Sequence, residues 1–133
     1  MPQPQARRRL AVETLEGIIL VRFTASRFVQ EEDVQAAFEQ LQRVLDGQRG
    51  REFVLDFRKV QFLSSAVLGR LVLLQKHAAS TGGRMTLCGI AKELFEVFTI
   101  AKLEKLLTIR EGAEAALGTF GIHAETRRYA LDE

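Results

Sequence analysis

Apolar residues recur along the chain with two different spacings, one typical of β-strands and one typical of α-helices, and each spacing predicts a type of element. Residues 10–24 are predicted to form a β-hairpin, because an alternating segment is broken at Gly17 and followed by a nearly continuous β-branched run. Such a run is typical of a strand covered on both faces. Three acidic residues at 31–33 then precede apolar residues at helical spacing from Val34 onward, which predicts an amphipathic helix ending at Gly47.

The rest of the chain repeats a strand-then-helix pattern. We predict short buried strands at 52–57, 84–89 and 105–109. A connector at 25–30 links the hairpin to the first helix, and a connector at 58–63 links the strand at 52–57 to the second helix. We predict helices from Ser64 or Ser65 to about residue 80, at 91–98 and at about 111–120. The order β-β-α-β-α-β-α-β-α predicts an α/β fold: a mixed, mostly parallel β-sheet with an N-terminal hairpin and about four helices.

Length and composition indicate a single domain. A chain of 133 residues with 47% hydrophobic and 27% charged residues can bury a core without disulfides or a metal. We predict a flexible N-terminal arm at 1–9, a folded domain at 10–120 and a loose C-terminal tail at 121–133. The arginines at 7–9 have two interpretations, a phosphate-binding arm and a solvated, solubilising segment.

Charge and hydropathy limit the classes of partner and the cellular compartment that we expect for this protein. The chain carries 19 Lys and Arg against 17 Asp and Glu, and this net charge of +2 is too small to predict direct nucleic-acid binding. No apolar run approaches the ~18 residues that cross a membrane, and no apolar stretch follows the basic N-terminus as in a secretory signal. One cysteine suits a reducing compartment. We expect a cytoplasmic protein, monomeric or weakly dimeric, that contacts neither membranes nor nucleic acid directly.

The sequence offers little for catalysis or metal binding. The spacings of His77, Cys88 and His123 match no metal-ligand pattern, so we predict no metal, no cofactor and no catalytic residue. Cys88 lies in an apolar strand and is expected to be a small core residue. Two serines at a strand-to-helix turn would suit a small serine hydrolase, but Leu63 and Val67 stand where its nucleophile turn needs glycines.

Ser64 and Ser65 are adjacent hydroxyls at the start of an otherwise apolar helix. In the structural interpretation, one of them caps the helix by accepting a hydrogen bond from an unpaired backbone N–H of the first turn. In the functional interpretation, one of them is phosphorylated, because a phosphate there meets free N–H groups and the positive end of the helix dipole. The phosphate adds about −1.5 to −2 charges to the surface. Spacing alone leaves both interpretations open.

The stretch from Val54 to Phe98 resembles the core of a STAS domain, the fold of bacterial anti-sigma factor antagonists. The family pattern is a strand ending in Leu-Asp, a hydrophobic pair, a serine-containing motif at the head of a helix, Gly-Gly, a strand, and a helix ending in Leu or Val followed by Phe. The chain supplies, in this order, Leu55-Asp56, Phe62-Leu63, Ser64-Ser65-Ala66, Leu68-Gly69, Gly82-Gly83 and Val97-Phe98. The resemblance extends more loosely over residues 10–120.

This resemblance implies an anti-anti-sigma factor, which is a protein-binding switch without catalysis of its own. The unmodified form would bind an anti-sigma factor that is also a serine kinase, and would so release a sigma factor. ATP belongs to that kinase. The family's phosphoacceptor falls on Ser65, with Ser64 as the alternative, and a serine phosphatase would restore binding. A STAS scaffold subunit of a signalling complex, seldom phosphorylated, is the alternative function.

The implied partner surface combines the head of the second helix with the loop before the first helix. Its expected residues are Ser26, Arg27, Phe28, Ser64, Ser65, Ala66, Val67 and Leu68. Two positions depart from the family pattern: Val67 replaces a glycine and adds a bulky group beside the site, and residues 26–28 occupy a region where many members carry an acidic residue. Phe28 is either an exposed anchor for the partner or tucked under the first helix.

Overall fold

A five-stranded mixed β-sheet forms the centre of the structure, a computed structural model that describes residues 9–111. The strands are β1 (Leu10–Leu15), β2 (Ile18–Phe23), β3 (Arg27–Phe28), β4 (Glu52–Asp56), β5 (Phe62–Leu63), β6 (Arg84–Cys88) and β7 (Thr108–Arg110). The helices are α1 (Glu31–Gly47), α2 (Ser65–Ser80), α3 (Lys92–Ile100) and a 3₁₀ helix (Leu103–Lys105). β3 and β5 form a separate two-stranded sheet.

The predicted N-terminal hairpin is confirmed. β1 and β2 pair antiparallel, with Leu10 opposite Phe23 at the open end. The two residues of the turn, Glu16 and Gly17, have φ angles of 50° and 88°. Positive φ at both central residues is the mark of a type I′ hairpin turn, and glycine adopts it without steric cost.

The predicted α/β architecture is also confirmed. The strand order is β1-β2-β4-β6-β7, and every pair after the hairpin is parallel. Residues 9–111 contain three α-helices. The fourth predicted helix, at about 111–120, falls almost entirely outside the described residues, and so do the predicted tail at 121–133 and residues 1–8 of the predicted arm. Arg9, the last residue of that arm, pairs with Asp33 of α1, with Nη2 and Oδ1 3.0 Å apart.

The core lies between the sheet and the pair α1 and α2. Alternate strand residues face it, namely Ile19, Val21, Phe23, Phe53, Leu55, Met85 and Leu87. The helices bury Val34, Ala37, Phe38, Leu41 and Leu45 of α1, and Val67, Leu68, Leu71, Leu74 and Ala78 of α2. The intervening residues Leu20 and Val54 are buried as well. β2 and β4 are therefore covered on both faces, as their continuous apolar runs predict.

Two short strands and several element boundaries differ from the sequence-based prediction. Each predicted connector contains a two-residue strand, Arg27–Phe28 in the first and Phe62–Leu63 in the second. The last strand is Thr108–Arg110 rather than 105–109, because the chain first turns through the 3₁₀ helix Leu103–Lys105. Two residues are too few to show an alternating pattern, so these strands depend on their pairing in the folded chain.

The third helix buries a narrower face than its sequence predicts. Leu94 and Phe98 are buried, one helical turn apart, whereas Phe95 is 39% exposed. The apolar residues of the predicted helix at 91–98, Leu94, Phe95 and Phe98, are expected to be buried together. For Phe95 this prediction is wrong, because one residue further along a helix turns the side chain by about 100°. Within residues 9–111, no helix has both the length and the apolar composition that a membrane crossing requires.

Candidate functional site

Three parallel strands end together at one edge of the sheet. β2 ends at Phe23, β4 at Asp56 and β6 at Cys88, and Asp56 and Cys88 are partners in the parallel register. The connectors that follow these strands therefore lie along the same edge, which is where open α/β sheets generally carry their sites. The two segments of the expected partner surface, residues 26–28 and 64–68, follow β2 and β4.

The two-stranded parallel sheet of β3 and β5 joins these segments directly. In it, Arg27 lies opposite Phe62. The N–H of Phe62 donates to the carbonyl oxygen of Ser26 at 3.1 Å, and the N–H of Ser64 donates to the carbonyl oxygen of Phe28 at 3.3 Å. The backbone thus places the loop before α1 beside the first residues of α2, as the resemblance implies.

The two serines occupy different positions at the head of α2. Ser64 is the N-cap residue, with extended backbone at φ −86° and ψ 162°, and Ser65 is the first helical residue. Ser65 and Ala66 are exposed, whereas Ser64 is half-buried. The Ser64 hydroxyl makes no capping hydrogen bond within the part of the chain that the structure describes. Ser64 therefore has the predicted cap position without the predicted side-chain bond.

Three expected partner residues do not present their side chains to the surface. Phe28 is 2% exposed, with its ring centroid 5.3 Å from that of Phe23 and 6.2 Å from that of Phe38 on α1. It is tucked under α1, and its role as an exposed anchor is wrong. Val67 is fully buried and Leu68 is 7% exposed. Val67 adds no bulk beside Ser65, because two residues along a helix turn a side chain by about 200°.

Phe62 is an exposed surface residue that the sequence analysis missed. Its side chain is 51% exposed, and the guanidinium carbon of Arg27 lies 4.9 Å from the centroid of its ring. This is the geometry of a cation–π contact. In the sequence, Phe62 is only the first member of an apolar pair before the serines, and the second member, Leu63, is the one that packs against the core. The surface residues around Ser65 are thus Ser26, Arg27, Phe62, Ser64 and Ala66.

A buried carboxylate holds the turn between β4 and this surface. Oδ1 of Asp56 accepts a hydrogen bond from the N–H of Arg58 at 2.9 Å, and Oδ2 lies 4.0 Å from Nη2 of Arg58. Gly89, at φ 70°, packs so closely that a Cβ there would lie 2.6 Å from Oδ1 of Asp56. Only glycine fits this approach and this backbone conformation. The turn after β4 is therefore fixed by the side chain of Asp56 from its own strand and by the close approach of Gly89 from the next connector.

Cys88 is a buried core residue, as its position in an apolar strand predicts. Burial raises the pKa of its thiol, the nearby Asp56 carboxylate raises that pKa further, and Arg58 opposes the rise. The thiolate is the nucleophilic and metal-binding form of cysteine. A thiol held protonated in this way is inert at neutral pH.

Within residues 9–111, no histidine lies beside Ser65 as a serine hydrolase would need. His77 lies more than three turns further along α2, about 18 Å away at 1.5 Å per residue. There its Nε2 is 2.8 Å from Oδ1 of Asp46 and 2.9 Å from Nε2 of Gln42, so it joins the ends of α1 and α2. His123 lies outside the described residues. Among residues 9–111, no group of three metal-ligating side chains comes together.

Sequence comparison relates most of the chain to one family. A family model described as the STAS domain matches residues 9–116. A STAS-domain containing protein of Pseudomonas aeruginosa is 32% identical to this chain over 59 residues, which are 44% of this chain and 58% of that relative. The match thus spans little more than half the length of the curated relative.

Structural comparison finds the same fold in anti-sigma factor antagonists. An anti-sigma-factor antagonist (STAS) domain protein from Planctomyces limnophilus has a TM-score of 0.73 at 18% identity, with 83% of this chain and 95% of that chain covered. Unphosphorylated SpoIIAA has a TM-score of 0.67 at 14% identity, with 85% and 97% covered. Phosphorylated SpoIIAA of Bacillus has a TM-score of 0.62 at 14% identity, with 84% and 98% covered. At such identities the likeness shows a common fold.

Proposed function

This chain belongs to the STAS domain family, and from that premise we propose that it acts as an anti-sigma factor antagonist controlled by phosphorylation of Ser65. The unmodified protein binds an anti-sigma factor of the serine-kinase type and so releases a sigma factor. The kinase supplies its own ATP, and a serine phosphatase reverses the modification. The observation that carries the proposal is the exposed hydroxyl of Ser65 at the N-terminus of α2, beside the exposed surface of β3 and β5.

The head of α2 suits a phosphate chemically. The first-turn N–H groups of a helix have no intrahelical acceptor, and the helix dipole favours negative charge at this end. No acidic residue lies in the first turn of α2, and the Ser64 hydroxyl makes no capping bond to the described residues. A phosphate on Ser65 therefore meets open donors without displacing a side chain, and the domain stays folded when modified.

The same surface supports a switch in which a phosphate ends binding. Ser65 and Ala66 are exposed and neutral, so a partner can cover them without desolvating a charge. A phosphate carries about −1.5 to −2 charges, and burying them against a partner without compensating groups is strongly unfavourable. Phosphorylation thus weakens the interface by local electrostatics and needs no change of fold.

Ser65 is the acceptor in this proposal for two physical reasons. Its side chain is exposed, which a kinase active site requires, whereas Ser64 is half-buried. The backbone N–H of Ser64 is also tied to the carbonyl oxygen of Phe28 in the two-stranded sheet. Bringing the Ser64 hydroxyl into a kinase would disturb that pairing.

Phosphorylation of the purified protein tests the proposal. The full chain is incubated with ATP and an anti-sigma serine kinase of the same organism, and the product is digested and sequenced by mass spectrometry. We expect one phosphate, located on Ser65, and none on the Ser65→Ala variant. The Ser64→Ala variant is the matched control and should still be modified.

Two results would contradict the proposal. A phosphopeptide localised to Ser64 alone would refute the choice of acceptor. Tight binding of the kinase with no phosphate transferred to either serine would refute the switch, and would favour the scaffold subunit of a signalling complex.

A further inference from the structure

The pair formed by Arg27 and Phe62 is an exposed feature that the fold itself does not require. Phe62 is 51% exposed, and Arg27 is exposed as well. Both stand on the two-stranded sheet that leads into α2, directly opposite each other in its register. The neighbours Phe28 and Leu63 on the same two strands supply the packing against the core.

The contact between the two side chains holds them in a defined arrangement. The guanidinium carbon of Arg27 lies 4.9 Å from the centroid of the Phe62 ring. A guanidinium over a ring face keeps its N–H groups able to bind a carboxylate. Among residues 9–111, no carboxylate forms an ion pair with Arg27. Arginine and aromatic residues, phenylalanine among them, are enriched in protein interfaces, and arginine is one of the residues that most often carry a large share of the binding energy.

The charge of the surrounding surface indicates what such a pair would bind. Arg58 and Lys59, in the turn between β4 and β5, are exposed on the connector that also carries Phe62. Glu31, in the first turn of α1, is paired with Arg70 of α2, with Oε2 and Nη2 3.2 Å apart. Asp33 of the same turn is paired with Arg9, Glu32 is exposed, and Nη2 of Arg58 lies 4.0 Å from Oδ2 of the buried Asp56. The segment 58–64 that leads into Ser65 contains two basic residues and no acidic one, and a partner of complementary charge presents acidic groups to it.

We infer that Arg27 and Phe62 select the partner, and that the partner presents a carboxylate to Arg27 with an apolar side chain against Phe62. This inference rests on the function proposed above, because it concerns the anti-sigma partner of the same surface. An acidic partner also explains the direction of the switch, since a phosphate on Ser65 adds negative charge opposite the partner's carboxylates and repels them.

Binding of charge variants tests the inference. The probe is the anti-sigma serine kinase used in the phosphorylation experiment, titrated into the full chain by calorimetry without ATP. We expect Arg27→Glu to weaken binding about 30-fold or more, the size of a central interface contact. Arg27→Lys keeps the charge but loses the planar fork, so its affinity should lie between those of Arg27→Glu and the wild type. Raising the salt concentration should weaken the wild type more than Arg27→Glu.

Two matched control variants test whether a loss of binding is specific to the surface around Ser65. Arg49 is an exposed arginine in the loop before β4, at the opposite edge of the sheet, so Arg49→Glu repeats the charge change away from Ser65. Leu73 is 66% exposed in the groove between α1 and α2, so Leu73→Ala is the control for Phe62→Ala. Both controls should bind like the wild type, while Phe62→Ala should bind more weakly. Thermal melting of each variant confirms that it is folded.

The outcomes distinguish the two proposals. If the kinase binds and phosphorylates the wild type but binds Arg27→Glu and Phe62→Ala with unchanged affinity, the inference is wrong and the proposed function stands. Tighter binding of Arg27→Glu would show a basic partner and would also overturn the inference. If the kinase neither binds nor modifies the wild type, the proposed function itself fails, and the inference fails with it.

Discussion

The neighbouring hydroxyls Ser64 and Ser65 differ in their surroundings although the sequence presents them as equivalent. Ser65 is exposed, whereas Ser64 is half-buried, with its N–H bonded to the carbonyl oxygen of Phe28. The sequence predicts that a helix begins here, because an apolar run follows two hydroxyls. It cannot predict which hydroxyl is accessible, because that depends on a carbonyl group more than 30 residues earlier in the chain.

Truncating the Ser64 hydroxyl tests this residue-scale description. A capping hydroxyl contributes about 0.5–2 kcal/mol, and the Ser64 hydroxyl makes no such bond to residues 9–111. We therefore expect Ser64→Ala to lower the free energy of unfolding by less than about 0.5 kcal/mol, measured by urea denaturation. Ser65→Ala, an exposed serine at the same helix end, is the control. A loss of about 1–2 kcal/mol for Ser64→Ala alone would show that the capping bond forms in solution.

At the scale of elements, how well a helix or strand is predicted depends on how many residues its apolar pattern spans. α1 and α2 span several turns each, so their apolar stripes are visible in the sequence. β3 and β5 have two residues each, and they exist because Arg27 and Phe28 meet Phe62 and Leu63 in the folded chain. The same limit hides Phe62, because an apolar pair next to a helix does not reveal which member faces the core.

The packing of α2 on the sheet is tested at Leu71. The sequence predicts that Val67, Leu71 and Leu74 pack on the strand at residues 53–55. These three residues share one buried cluster with Phe53 and Leu55, whereas Val54 is buried outside that cluster. We expect Leu71→Ala to lower the free energy of unfolding by about 2–5 kcal/mol, because it leaves a cavity in the core. Leu73→Ala, on the exposed face of the same helix, should change stability by less than about 0.5 kcal/mol.

Equal and small effects at these two leucines would contradict this packing. A loss below about 1 kcal/mol for Leu71→Ala would mean that the buried face of α2 is assigned wrongly. Urea denaturation measures both variants, and comparing the slope of each transition with that of the wild type shows whether a mutation also changes the compactness of the unfolded state.

At the scale of the whole molecule, topology decides where the surface forms. Parallel strands place the connectors after β2 and β4 at one edge of the sheet, and the pairing of β3 with β5 joins them. The alternation of strands and helices predicts the parallel sheet, and hence that sites gather at this edge. Which side chains are exposed there is set by packing across the sheet. Sequence patterns therefore predict the place of the surface but not its aromatic residue, Phe62.

The most direct test of the account compares Ser65→Asp with Ser65→Ala. Calorimetric titration of both variants with the anti-sigma serine kinase measures how one negative charge at the head of α2 affects binding. We expect Ser65→Ala to bind nearly as tightly as the wild type, because the neutral hydroxyl is exposed and contributes little. Ser65→Asp should bind more weakly by at least about 1–3 kcal/mol, the cost of burying an uncompensated polar group. Equal affinities of the two variants would contradict the electrostatic switch.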